Sequence, residues 1–94
     1  MEFKDIVEIE EIRSEIDKID IKLLELFRER FKRAKSIAIY KKINNLPIYD
    51  QNREKLLLSK LQNKNIIDPI YVYQLWNEIF FISRSIQKDV LKNE

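Results

Sequence analysis

Apolar residues recur every three or four positions along the first forty residues, which is the spacing of one face of an α-helix. Two stripes overlap on this face: Ile9, Ile12, Ile16, Ile19, Leu23 and Leu26, then Leu24, Phe27, Phe31, Ala34 and Ala38. The sequence contains no glycine and only two prolines, so few sharp turns are available to interrupt such a helix. The pattern predicts a single first helix from about Phe3 to Ile43.

Two shorter helices follow in the remaining half of the chain. The first helix is expected to end before Pro47, because proline forces its predecessor out of the helical region. Asp50 is placed to cap a second helix, which carries four leucines and ends in the polar stretch 63–65. Asp68 followed by Pro69 predicts the start of a third helix, since it combines a capping acceptor with proline at the first helical position. The fold class is therefore all-α.

The length of the first helix predicts a second copy of the chain. At 1.5 Å per residue this helix is about 55 to 60 Å long, whereas a compact domain of this size is about 35 Å across. An apolar stripe of that length needs another protein surface, and a second identical chain is the simplest source. We expect residues 1–94 to form a single helical domain that assembles into an intertwined homodimer.

The amino-acid composition limits which functions and which catalytic groups are possible. The net charge is only +2 and acids and bases are interspersed, so no basic stripe predicts nucleic-acid binding. No apolar run is long enough to span a membrane. With neither cysteine nor histidine, no disulfide framework, zinc site or Ser/His or Cys/His nucleophile is expected, and a cytoplasmic location is the default. Any chemistry must use Arg, Lys, Asp, Glu, Ser and Gln.

An arginine interrupts the apolar register of the first helix. After Leu26 the next step lands on Arg30, and a buried guanidinium cannot lose its proton, so it needs an anion. Lys41 lies three turns further on, about 16 Å away on the same side of the helix. Arg13 lies about 25 Å from Arg30 at a different azimuth, so both could serve one small ligand only across a dimer.

Further polar residues share faces on the other two helices. Asp50, Arg53 and Glu54 lie on one face of the second helix, and Ser83 and Gln87 are one turn apart on the third. Polar groups from three helices could therefore meet.

Each of these residues also has a purely structural interpretation. Arg30 could form a buried ion pair with Glu54 or Asp50, and Asp50 could act simply as a helix cap. Lys41 could be a solvated residue near a helix end, and Arg13 an exposed salt-bridge residue. The serine and glutamine of the third helix could be ordinary polar positions of a bundle.

The joint spacing of these residues resembles the all-helical chorismate mutases. The correspondence covers about residues 7 to 91 and rests on Arg13, Ile16, Asp20, Leu23, Leu24, Arg30, Lys41, the segment from Pro47 to Asp50, Arg53, Glu54, Ser83 and Gln87. The family implies a three-helix chain in an intertwined dimer with two equivalent sites. Its reaction is the Claisen rearrangement of chorismate to prephenate, on the route to phenylalanine and tyrosine.

The resemblance also implies a role for each residue. Arg30, together with Arg13 of the partner subunit, would bind the two carboxylates of the dicarboxylate substrate. Lys41 and Gln87 would donate to the ether oxygen as its bond to the ring breaks. This rearrangement needs no acid, base, nucleophile, metal or cofactor. The protein would need only to hold the reactive conformer of the substrate and to stabilise the charge that develops in the transition state.

The remaining implied contacts involve the second and third helices. Glu54 and the backbone near Asp50 would hold the ring hydroxyl, Ser83 would contact a carboxylate, and Arg53 would add positive field.

Two other functions remain open at this point. The same fold hosts isochorismate pyruvate lyases, which bind a closely similar substrate, although the acidic Asp50 and Glu54 around Arg53 resemble the mutase pattern more. A non-catalytic helical dimerisation module is the second alternative, in which Arg30 would only set the register of the dimer.

Overall fold

The computed structural model describes residues 3–92, with side chains from Glu8 onward, and consists there of three α-helices without a strand. Helix α1 spans Phe3–Ile43, α2 spans Gln51–Gln62 and α3 spans Pro69–Lys92. The predicted fold class is confirmed, and the predicted bounds of α1 agree with those observed. Helix α1 contains 41 residues.

Asparagine, and not glycine, occupies the left-handed position after α1 and after α2. Asn45 has a φ of 54° and Asn65 a φ of 55°, the left-handed conformation that usually favours glycine. At the end of α1 the amide of Leu46 donates to the carbonyl of Lys41 (2.8 Å), and that of Asn45 donates to Lys42 (3.2 Å). This is the Schellman pattern, and it turns the chain back over the last turn of α1.

Aspartates cap the two shorter helices, as the sequence predicted. The Oδ1 atom of Asp50 accepts from the backbone amide of Arg53 at 3.0 Å. The Oδ1 atom of Asp68 accepts from the amide of Ile70 at 2.9 Å, directly before the first helical residue, Pro69. Each bond satisfies a backbone donor that the first turn of a helix leaves without an intrahelical acceptor.

The chain divides into two units, the first ending at Arg30 and the second beginning at Phe31. The first unit is the N-terminal part of α1. None of its described side chains, from Glu8 to Arg30, is buried. The predicted apolar stripe is largely open to solvent in the single chain, with Ile12, Ile16, Ile19 and Leu23 between 44% and 56% exposed.

The second unit contains the end of α1 and the two shorter helices. Helix α2 packs against α3. The buried apolar side chains are small on α1 and larger on α3: Ala34, Ala38, Val72, Ile79 and Phe80. No residue of α2 is fully buried. Among the described residues, no helix has the length and apolar character needed to cross a membrane.

The cap of α3 can be tested by substitution. We expect Asp68→Ala to lower the free energy of unfolding by about 1 kcal/mol, because the amide of Ile70 loses its acceptor. Asp68→Asn keeps a capping oxygen and should remain close to the parent protein. Urea denaturation at one fixed protein concentration measures both, and equal stability of the alanine variant and the parent would contradict the capping role.

Candidate active site

Lys41 joins three segments of the second unit. Its Nζ atom donates to the backbone carbonyl of Ile48 at 2.6 Å and to Oε1 of Gln87 at 3.0 Å. The first bond spans the turn that the Schellman motif creates, and the second connects the last turn of α1 to α3. Lys41 is half-buried, so it is not the solvated helix-end residue of the structural interpretation.

Gln87 is the buried polar residue of the described core, with 6% of its surface exposed. Its Oε1 accepts from Lys41, and its Nε2 donates to Oγ of Ser83 at 3.3 Å. A lysine ammonium donates only, so the oxygen of the amide must face Lys41 and its nitrogen must face away. Both ends of this side chain are thereby oriented.

A count of donors shows what this cluster offers a ligand. The ammonium of Lys41 has three hydrogens, of which Ile48 and Gln87 accept two. The amide nitrogen of Gln87 has two hydrogens, of which Ser83 accepts one. One hydrogen on each group remains for an oxygen atom of a bound molecule. The cluster can therefore donate two hydrogen bonds to an acceptor oxygen.

The three predicted residues of α2 lie in or beside its first turn. Asp50 and Arg53 are exposed, and their mutual bond is the helix cap described above. Glu54 is half-buried, and both oxygens of its carboxylate accept from Nη1 of Arg84, at 2.5 and 2.6 Å. Its ion-pair partner on α3 is thus a residue outside the predicted set.

Sequence reasoning missed Arg84, although a signal was present. Arg84 is the only charged residue between Glu78 and Lys88, in a segment of α3 rich in phenylalanine and isoleucine. A lone arginine in an apolar stretch is the same feature that drew attention to Arg30 in α1. The guanidinium of Arg84 also lies over the ring of Tyr49, 5.0 Å from its centroid.

Arg13 and Arg30 belong to the first unit. Nη1 of Arg13 is 3.0 Å from Oε1 of Glu10, and both side chains are about two-thirds exposed, at 69% and 65%. Such an exposed pair contributes about 1 kcal/mol or less to stability. Arg30 is half-buried. The cluster in the second unit therefore consists of Lys41, Ser83 and Gln87, with Glu54 and Arg84 as a separate ion pair.

These features define an all-helical chain with a cluster of oriented hydrogen-bond donors on its second unit. The family model described as chorismate mutase type II matches residues 12–88, a range that includes all eight predicted site residues. The chain therefore belongs to the chorismate mutase type II family, as the spacing of its residues indicated.

Individual relatives agree with this membership. The chain is 34% identical over 89 residues to a bifunctional chorismate mutase/prephenate dehydratase of Aquifex aeolicus, with 88% of this chain covered. It is 42% identical over 82 residues to one of Buchnera aphidicola, with 84% covered. The chain spans only 25% and 21% of these two relatives' lengths. A chorismate mutase of Methanocaldococcus jannaschii is 32% identical over 90 residues, which cover 93% of this chain and 91% of that protein.

A solved structure has the same fold. It is the crystal structure of chorismate mutase from Helicobacter pylori in complex with prephenate, which is 32% identical to this chain and superposes with a TM-score of 0.85. The match covers 92% of this chain and 96% of that one. The three-helix architecture is therefore shared over nearly the whole length of both chains.

Proposed function

We propose that this chain is a chorismate mutase, an isomerase that converts chorismate to prephenate by a Claisen rearrangement in phenylalanine and tyrosine biosynthesis. Family membership supports the activity. The observation that carries the mechanism is the oriented Lys41–Gln87 pair, which retains a donor hydrogen on each side chain. The absence of cysteine from the sequence supports a cytoplasmic setting for this reaction.

The reaction demands little covalent chemistry of the protein. One carbon–oxygen bond of chorismate breaks while one carbon–carbon bond forms within the same molecule, and no group leaves or enters. The site must hold the reactive conformer and favour the charge separation of the transition state. A chain without histidine or cysteine has the residues that this task requires, and no cofactor takes part in the proposed mechanism.

Lys41 and Gln87 stabilise the ether oxygen in this mechanism. Negative charge gathers on that oxygen as its bond to the ring lengthens, so both donor bonds strengthen in the transition state. One preorganised donor to a developing oxyanion is worth about 3 to 4 kcal/mol, and a million-fold acceleration needs about 8 kcal/mol. Two donors and a restricted conformer supply an effect of that size.

The substrate carboxylates are bound by cations. Arg30 and Arg13 of the partner subunit form planar, paired hydrogen bonds with them, a geometry that lysine does not provide. Ser83 contacts one carboxylate through its hydroxyl. Its existing bond with Gln87 also keeps the amide of that residue in its orientation.

The first turn of α2 binds the ring hydroxyl. Glu54 accepts a hydrogen bond from this hydroxyl, and the backbone near Asp50 also contacts the hydroxyl. Arg53 is exposed on the same turn and adds positive field towards the carboxylate end of the substrate.

We also propose that residues 1–94 act as one helical domain within an intertwined homodimer. The family match spans both units of the chain, since it runs from residue 12 to residue 88. The exposed stripe of Ile12, Ile16, Ile19 and Leu23 supplies the apolar surface for the second copy. Full burial of such a side chain is worth about 1.5 to 3 kcal/mol, so a stripe of them favours association.

The activity itself is the first test. We expect the purified protein to consume chorismate, followed by loss of its diene absorbance, and to release prephenate. Lys41→Met should lower kcat by about 100-fold to 1,000-fold, because a donor to the ether oxygen is lost. Lys42→Met removes the same charge from the next residue and should retain most of the activity. A folded protein without turnover would refute the enzyme, and pyruvate release from isochorismate alone would favour a lyase.

The shared site predicts complementation between inactive variants. Arg13→Ala and Arg30→Ala should each be nearly inactive alone. After subunit exchange, each mixed dimer has one site with both arginines, so an equal mixture should recover about one quarter of the parent activity. Arg30→Ala mixed with Lys41→Met is the matched control, because those two residues serve the same site and no intact site forms. Absence of recovery after verified exchange would show that Arg13 does not act across the dimer.

The proposed donor role of Gln87 predicts a new pH dependence. In Gln87→Glu the new carboxyl donates to the ether oxygen only while protonated, so activity should fall steeply as pH rises through its pKa. The parent protein should not show this loss. Gln74→Glu makes the same chemical change at an exposed position of α3 and serves as the control. A flat pH profile for Gln87→Glu would remove Gln87 from the mechanism.

A further inference from the structure

The ion pair of Arg84 and Glu54 connects α3 to the first turn of α2. One nitrogen of Arg84 lies within 2.6 Å of both carboxylate oxygens, and the two side chains are only 26% and 21% exposed. A charge-assisted bond in a partly desolvated place is stronger and more directional than one in water. The orientation of the Glu54 carboxylate is therefore fixed from α3.

A second contact fixes Arg84 itself. Its guanidinium lies over the ring of Tyr49, 5.0 Å from the centroid. Tyr49 directly precedes the capping residue Asp50, so this contact holds the chain where α2 begins. A planar guanidinium stacks on an aromatic face and bonds to a carboxylate at its edge at the same time, which an ammonium group does not reproduce.

The connection between α1 and α2 is thus held by two cations from different helices. Lys41 of α1 binds the carbonyl of Ile48, and Arg84 of α3 covers the next residue, Tyr49. The two cations differ in their other described partner. Lys41 also binds the neutral amide oxygen of Gln87, whereas Arg84 also binds the carboxylate of Glu54. Arg84 therefore sets the position of an acidic side chain as well as that of the backbone.

The carboxylate keeps capacity for a further donor. An ionised carboxylate has about four lone-pair positions, and a single nitrogen of Arg84 approaches both oxygens from one side. A hydroxyl group of a bound molecule can therefore donate to Glu54 while the ion pair persists. The ion pair and the proposed contact with the ring hydroxyl are compatible.

We propose that Arg84 is a positioning residue of the mutase site, which acts through Glu54 by holding its carboxylate in the orientation that the ring hydroxyl of the substrate requires. The inference rests on the proposed function, because it needs Glu54 to contact substrate. Among the residues that the structure describes, the side chain of Arg84 contacts Glu54 and Tyr49. The effect of substituting Arg84 on the activity should therefore depend on the presence of Glu54.

A double-mutant cycle on the full chain tests this dependence. Arg84→Gln should lower kcat/KM for chorismate by about tenfold or more in the parent, and by less than about twofold when Glu54→Gln is already present. Arg84→Gln and Glu54→Gln should also change kcat and KM in the same proportions, which a merely structural loss would not do. Lys88→Gln removes the same charge from an exposed position one turn along α3 and should leave the rate unchanged.

A conservative variant keeps the test decisive if Arg84→Gln does not fold. Arg84→Lys retains the charge without the planar contact with Tyr49, so it should lose activity in the parent and not in the Glu54→Gln protein. Thermal unfolding and oligomeric state are measured for every variant alongside the rates.

Two outcomes would overturn the inference, and they are distinguishable. In the first outcome, the unmodified chain converts chorismate, but the Arg84 and Glu54 substitutions lower kcat/KM by independent factors. Only the positioning role of Arg84 is then wrong. If the unmodified chain does not convert chorismate, the proposed function fails and this inference fails with it.

Discussion

The ammonium group of Lys41 is the constraint on which the described site depends. It is half-buried, and its two bonds go to neutral oxygens, the carbonyl of Ile48 and the amide of Gln87. These bonds hold the turn after α1 and orient the buried glutamine, but they do not neutralise the positive charge. A partly desolvated cation with a remaining hydrogen is an attractive position for an anion or for an oxygen that becomes one. The contacts that hold this region together and its proposed chemistry therefore involve the same group.

Arg84 shows the contrasting use of a cation. Its charge is matched by the carboxylate of Glu54, and its plane rests on Tyr49. The two cations contact consecutive residues of the connection between α1 and α2. Lys41, which precedes this connection in the sequence, binds Ile48, and Arg84, which follows it, covers Tyr49. Because α2 has no fully buried residue, these polar contacts, the Asp50 cap and its packing on α3 determine where its first turn lies. The second unit has few buried side chains among those described, and a few charge-assisted bonds position its candidate site.

The first unit raises a different physical problem. Its described side chains include no buried residue, and an apolar stripe runs along them. A helix in isolation gains little stability in water, since most helical stability in proteins comes from packing of an apolar face. The proposed homodimer covers this face and brings in Arg13 of the partner subunit. In that arrangement, the association that stabilises the long helix also completes the binding site for the substrate.

The sequence by itself determined the three helices, the bounds of α1, the starts of α2 and α3, and the family. Apolar spacing defined α1, Asp50 and Asp68 marked the starts of α2 and α3, and the spacing of eight polar residues indicated chorismate mutase, because each of these signals is local or lies in fixed register. Only the tertiary structure decided that Lys41 binds Ile48 and Gln87, and that Glu54 pairs with Arg84. Residues 54 and 84 are 30 positions apart on different helices, and sequence periodicity gives the face of each helix without saying which faces meet. Packing of α2 on α3 makes that choice, because it brings one carboxylate within reach of one guanidinium.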